Sequence, residues 1–293
     1  MLLRDVLPLL PIWRLGIAPA TVAAYGCTVA CLDRWTGRAV TVEELTEPLL
    51  REFLAYRLRL KAPKTAKRDR ATILLLWRLA YAHKLVKRRQ PKIESIRVPR
   101  RLPVGFSLSE FERLLAAARA MQGDVRGTGI PRRYYWPSLL LFLYDSGSRI
   151  GEAMTLTPAA VSLAERFAVL RCSKTGVERL VNLSDQTTAA IAAHYDPRRA
   201  LVWPLPCHRC RLHRTLDALL SRAGLPHDRW HKFHCLRRTS GSLVQANGGN
   251  GSAHLGNSPE VFARYYAVPT ILNTSQLNRL PRPCGDAPDD WSI

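Results

Sequence analysis

Three prolines interleaved with cations divide this chain in two. Pro91, Pro99 and Pro103 fall within residues 90–103 together with Lys92, Arg97, Arg100 and Arg101, and a proline inside a helix removes a hydrogen bond and clashes with the preceding turn. Such a stretch is unsuited to a helix interior, so it reads as an extended basic linker between two folded blocks. We place an N-terminal domain at residues 1–90, the linker at 91–103, a second domain at 104–280 and a loose tail at 281–293. With 293 residues, 47% of them hydrophobic, each block has apolar side chains enough for its own core.

The first block reads as helical. Apolar residues recur at helical spacing over residues 20–35, 45–56 and 72–85, the last carrying Ile73, Leu74, Trp77, Leu79, Ala80 and Tyr81. No alternating strand pattern interrupts them. Charge is concentrated here: residues 51–101 hold seventeen Lys or Arg against Glu52, Asp69 and Glu94. The run Lys64, Lys67, Arg68 and Arg70 opens the third helix, where cations oppose the helix dipole and do nothing for helix stability. Taken alone it is a solvated face; beside a second basic half it reads as a surface that tracks phosphates. Over the whole chain, 44 Lys and Arg against 23 Asp and Glu leave a formal charge of +21, which favours a polyanionic partner, with nucleic acid foremost.

The second block mixes helices with one hairpin. Ser107 and Glu110 form a capping-type start to a helix through Ala120, a Gly- and Pro-rich loop covers 123–131, and an apolar helix at 135–144 ends near Gly147. Residues 166–184 predict two short strands around a turn at Lys174-Thr175-Gly176. Helical patterns resume at 186–194, 213–223, 234–246 and 259–266. The fold class is therefore mainly α with a small β-hairpin, an α+β arrangement.

Five segments of this block carry side chains suited to phosphate chemistry. Arg149 sits in Asp145-Ser146-Gly147-Ser148-Arg149-Ile150-Gly151-Glu152, and a guanidinium offers a planar fork that matches two phosphate oxygens. Read singly, it is a surface salt bridge to Glu152. His234 and Arg237, in His234-Cys235-Leu236-Arg237-Arg238-Thr239, share one helical turn and pair a proton-exchanging imidazole with a second fork. Lys174, in Ser173-Lys174-Thr175-Gly176, is either an ordinary turn lysine or a proton donor to an alkoxide. Leu255-Gly256-Asn257-Ser258 precedes the pair Tyr265-Tyr266, two aromatic residues that outside this setting belong to a core. A phenol, with a usual pKa of about 10, needs a nearby base and a positive site before it attacks.

This order and these contexts resemble the tyrosine recombinases, the phage-integrase type of site-specific recombinase. The resemblance is close over residues 106–269 and looser over the first hundred. It implies a core-binding N-terminal domain and a catalytic domain closing on duplex DNA as a C-shaped clamp, with Tyr266 cutting one strand to leave a 3′-phosphotyrosyl link. Arg149 and Arg237 would then stabilise the transition state, Lys174 act as general acid, and His234 act as general base or phosphate donor. Family spacing selects Tyr266, with Tyr265 as fallback. Asn257 departs from the pattern, since the family usually has His or Trp there; an asparagine donates through its amide but exchanges no proton. His254, three residues earlier, is a candidate to compensate, although its position does not match.

The resemblance further implies tetramers on two DNA sites, with residues 269–280 docking on a neighbour, and no metal or nucleotide cofactor. Two alternatives share the same residues. One is a degenerate recombinase that binds specific DNA without cutting; the other is a topoisomerase of the kind that uses this chemistry without site choice. Cys207 and Cys210, with His213 nearby, make half a zinc site at most, and the seven cysteines read as reduced thiols. With no apolar run of about 18–20 residues and no signal-peptide pattern at the start, a cytoplasmic protein is expected.

Overall fold

The computed structural model describes residues 1–10, 17–87, 91–171, 178–205 and 210–272. Lys174 and the rest of residues 172–177, Cys207, and residues 273–293 lie outside the described residues. The chain divides into two units, Met1–Arg101 and Leu102–Ile293.

Unit 1 is built on three helices. α1 (Pro19–Thr36) starts with proline at its first position, where no amide partner is lost, and stops at Gly37 in the left-handed region. In α2 (Glu47–Leu60) the Thr46 side chain caps the amide of Leu49. α3 (Pro63–Ala82) turns Ile73, Leu74, Leu76, Trp77 and Ala80 inward onto Val29, Leu32, Leu50 and Phe53, and a short 3-10 turn at Leu3–Leu9 adds Leu3 and Val6. Within the basic run, Lys64, Lys67 and Arg68 face solvent. Asp69 is wholly buried, where it accepts from Arg57 Nε at 2.7 Å and Thr28 Oγ1 at 2.9 Å. The run therefore has a wet cationic face and one buried, fully partnered carboxylate.

Residues 91–107 carry no helix or strand. Their beginning is tied to unit 1: Ile93 enters its core, the Lys92 amide donates to Glu47, and Arg70 donates to the Ile93 carbonyl.

In unit 2, α4 (Leu108–Arg119) begins with the expected capping box between Ser107 and Glu110. The loop after it holds a two-residue antiparallel pair, β1 (Asp124–Val125) and β2 (Ile130–Pro131). α5 (Arg132–Ser146) is buried along Tyr135–Leu143 on almost every side, which makes it the central element of the unit. After α6 (Ile150–Ala153), strands β3 (Val161–Ser162), β4 (Phe167–Arg171) and β5 (Glu178–Asn182) form an antiparallel sheet in sequence order, with Ala168 opposite Val181. Ala168, Leu170 and Val181 point to the core and their neighbours away from it, the period-two pattern legible in the sequence.

α7 (Asp185–Ala192) and α8 (Cys210–Arg222) complete the shell. α9 (Phe233–Ala246) packs against α5 and against α10 (Gly251–Leu255), which leads into α11 (Pro259–Tyr265). α9 and α10 meet at glycine: a Cβ on Gly251 would lie 2.4 Å from the Gly241 carbonyl oxygen. No helix among the described residues is long and apolar enough to cross a membrane.

Candidate active site

Arg149 is placed by a tight exit from α5. Gly147 adopts φ +54°, a region open to glycine at no steric cost, and the chain reverses there. The Ser146 hydroxyl donates to Ser148 Oγ at 3.0 Å and accepts from the Ser148 amide at 3.1 Å, which fixes the two residues before Arg149. Glu152 then grips Arg149 twice, taking its backbone amide at 2.9 Å and its Nη1 at 2.7 Å. This is more than a surface ion pair. The Glu152 side chain is 2% exposed and the Arg149 side chain 34%, so one partner is interior and aims the other outward. Burial pushes the Glu152 carboxyl up, but the hydrogen bonds and charge of Arg149 and the charge of Arg237 outweigh it and hold the group below its ordinary value.

Arg237 lies on the inner face of α9 and is 1% exposed. Its Nη1 donates to the Gly147 carbonyl and its Nη2 to the Leu255 carbonyl at 2.6 Å, while Nε is buried with no partner among the described residues. The simple phosphate fork expected from the sequence is thus half committed to backbone. Both carbonyls stand at helix C-termini, whose last C=O groups lack intrahelical partners. Burial lowers the Arg237 pKa, Tyr266 opposes this and Arg149 adds to it. The charge of the Glu152 carboxylate also opposes the lowering.

Tyr266 ends α11 with its ring beside that guanidinium, Arg237 Cζ lying 5.1 Å from the ring centroid. Its carbonyl accepts from Ser242 Oγ on α9 at 2.9 Å. Tyr265 turns the other way: it is 47% exposed and lies under Arg264, rather than packing into the core as a second aromatic of the pair would. Of the two tyrosines, it is Tyr266, the one family spacing selects, that lies beside Arg237; Ser242 was overlooked in the sequence. The only trace of that residue's role is the run Ser240-Gly241-Ser242, small side chains that let another segment approach the helix.

His234 stands one turn before Arg237 and reaches solvent. The protein mass around it, then the charges of Arg238, Arg237 and Arg149, lower its pKa, with Glu152 opposing. It is therefore a neutral imidazole near pH 7, able to accept a proton. Asn257 follows Gly256, whose φ of +62° closes α10, and its amide Nδ2 is buried with no partner among the described residues. His254 does not take over its place. The His254 ring is bound to Ser240 Oγ at 2.7 Å, and burial, followed by Arg179 and Arg237, pushes its pKa down to about 4. Arg149, His234, Arg237 and Tyr266 thus gather, Asn257 lies two residues beyond the Leu255 carbonyl that Arg237 holds, and Lys174 is outside the described residues. Among the described residues no cluster of His, Cys, Asp or Glu has the makings of a metal site.

No family model matches the chain. It is 26% identical over 186 residues to a tyrosine recombinase XerD of Shewanella oneidensis, covering 61% of this chain and 58% of that protein. To the tyrosine recombinase XerD of Agrobacterium fabrum it is 29% identical over 193 residues, 64% of this chain and 56% of that one. The matched region thus spans somewhat over half the length of these relatives. Among solved structures, the Tn1549 transposon integrase in complex with transposon right end DNA superposes with a TM-score of 0.68 at 13% identity, covering 96% of this chain and 99% of that one. A lambda integrase dimer bound to a COC′ core site gives 0.66 at 15% identity, covering 86% and 89%.

Proposed function

We propose, from the premise that the chain is a member of the tyrosine recombinase family, that it is a site-specific DNA recombinase that cuts and rejoins strands through Tyr266. The observation that carries this reading is the convergence of Arg149, His234, Arg237 and Tyr266 from α9 and the ends of α5 and α11, with the Arg237 guanidinium 5.1 Å from the phenol ring. The Tyr266 phenol oxygen attacks the phosphorus of a DNA phosphodiester. Its proton passes to the neutral His234 imidazole, the bond to the 5′ oxygen breaks, and Lys174 supplies the proton that makes the 5′-hydroxyl. The strand is left joined to Tyr266 by a 3′-phosphotyrosyl bond, and attack by a partner strand's hydroxyl reverses the step.

Charge on the phosphoryl oxygens rises in the transition state, so preorganised donors do most of the work. Arg149, aimed by Glu152, and the remaining N–H groups of Arg237 supply them, each worth roughly 3–4 kcal/mol in a site of this kind. Asn257 adds an amide donor. The cationic face of α3 and the linker arginines hold the duplex through its phosphates, and assembly on two DNA sites, as a tetramer, brings the strands together for exchange.

The test is a nicked suicide substrate built on DNA flanking the gene. A denaturant-stable protein–DNA adduct formed by the wild type and by Tyr265→Phe, and lost in Tyr266→Phe, is the expected result. Sequence-specific binding without any adduct would replace this reading with a DNA-binding protein that no longer cuts.

A further inference from the structure

Arg179, on β5 and outside the residues assigned above, sits where two helices end. Its Nη1 donates to the Ser146 carbonyl at 3.0 Å and to the His254 carbonyl at 2.6 Å. Arg237 donates to the next carbonyl in each segment, Gly147 and Leu255. The C-terminal ends of α5 and α10 therefore run side by side, and two guanidiniums stitch them at successive residues. Helix C-termini carry unpaired carbonyls and the negative end of the helix dipole, so two of them repel when brought together. Cations between them remove both costs at once. The stem of Arg179 lies along the turn that ends α10, since a Cβ at Gly256 would be 3.7 Å from Arg179 Cδ.

What leaves these two helix ends is the site itself. Three residues after Ser146 comes Arg149; three after His254 comes Asn257. The strand that carries Arg179 directly follows residues 172–177, in which Lys174 lies. We infer that Arg179 is a positioning residue that fixes the Arg149 turn, the Asn257 turn and β5 to one another, acting through the Ser146 and His254 carbonyls without touching the DNA. The inference rests on the proposed recombinase reading.

The contacts also say what a substitute must do. One nitrogen serves both of these carbonyls, so a lysine ammonium, with three donors on one atom, can supply both bonds. Methionine keeps the stem and loses the donors. The experiment measures the rate of adduct formation at saturating nicked DNA, the DNA dissociation constant and its salt dependence, and the thermal unfolding midpoint, for wild type, Arg179→Lys and Arg179→Met. Expected for Arg179→Met is an adduct rate lower by up to about 100-fold, with DNA affinity and its salt slope unchanged; Arg179→Lys recovers most of the rate. If Arg179→Met does not fold, Arg179→Gln, which keeps one side-chain amide group as donor, is read against the same criteria.

A variant that folds and forms adduct at the wild-type rate overturns the inference. So does a loss of affinity with a shallower salt slope, which would make Arg179 a phosphate contact. A wild type that forms no adduct sinks the recombinase reading and this inference with it, an outcome distinct from both.

Discussion

Ser242 holds Tyr266 by its backbone. The hydroxyl, fully buried on α9, donates to the Tyr266 carbonyl at 2.9 Å and accepts from the Val268 amide at the same distance. Arg238, four residues earlier on that helix, donates Nε to the Tyr265 carbonyl at 3.2 Å. The tyrosine segment is therefore docked on the same helix that carries His234 and Arg237, and the phenol's place relative to them is set by backbone contacts and by ring stacking together.

Ser242→Ala removes one side-chain atom and takes this partner from the buried Val268 amide and the part-buried Tyr266 carbonyl, at a cost of about 1–3 kcal/mol for each group that water does not reach. The urea midpoint is expected to fall accordingly, and adduct formation to slow more than DNA binding weakens, because Tyr266, the proposed nucleophile, loses its fixed position. Adduct formation at the wild-type rate would show that the ring contacts alone hold Tyr266.

Gly147 is irreplaceable on two independent grounds. Its φ of +54° is strained for any residue with a Cβ, and that Cβ would meet Leu255 Cδ2 at 2.4 Å, His254 Nε2 at 3.1 Å and Ser240 Oγ at 3.2 Å. A left-handed residue costs about 1–2 kcal/mol and overpacking a further ~1–3 kcal/mol. Gly147→Ala is thus expected to lose about 2–5 kcal/mol of stability by denaturant titration. A loss well under 1 kcal/mol would mean that α10 shifts aside freely, contrary to the stitched arrangement of the two helix ends.

Glu152 gives a pH signature. Its folded-state pKa is lowered, so its contribution is complete above the ordinary glutamate value of about 4.3 and disappears as pH falls through the lower folded value. Glu152→Gln keeps the shape but not the charge, and is expected to be less stable than the wild type at pH 7 by about 1–3 kcal/mol. The gap between the two melting temperatures should close as pH drops below about 4. A gap that stays constant down to that range would remove the ionised carboxylate as its cause.

Much of this was readable from local pattern. The Ser107–Glu110 capping box, the period-two strands around residues 166–184 and the apolar stripe of α3 depend only on neighbours in the chain, and the structure has each of them. His234 and Arg237 were legible because a three-residue spacing fixes a shared helical face. What stayed hidden depends on distant segments meeting. Arg179 sits in Glu178-Arg179-Leu180, an unremarkable charged strand, and its partners lie 33 and 75 residues away. Arg237 looked like a free fork because nothing in its own helix announces that two other helices end against it. Asp69 looked like part of a solvated charge run, and only the approach of Arg57 and Thr28 makes it interior.

Asn257 brings a buried amide donor to the turn after α10. Its Nδ2 is buried without a partner among the described residues, which costs stability unless a ligand takes the hydrogen bond, and the turn that carries it follows directly from the Leu255 carbonyl held by Arg237. On the proposed reading Asn257 donates to a non-bridging phosphate oxygen, a task for which a group that does not titrate suffices. Asn257→Ala is then expected to slow adduct formation by about 100–1000-fold, the usual effect of losing one preorganised donor, with DNA affinity little changed. Asn257→His, which restores an N–H donor, should retain far more of the rate, and its stability should match or exceed that of Asn257→Ala. An alanine variant within a few-fold of the wild type would instead make Asn257 a turn residue and leave Arg149 and Arg237 as the groups that carry the phosphate charge.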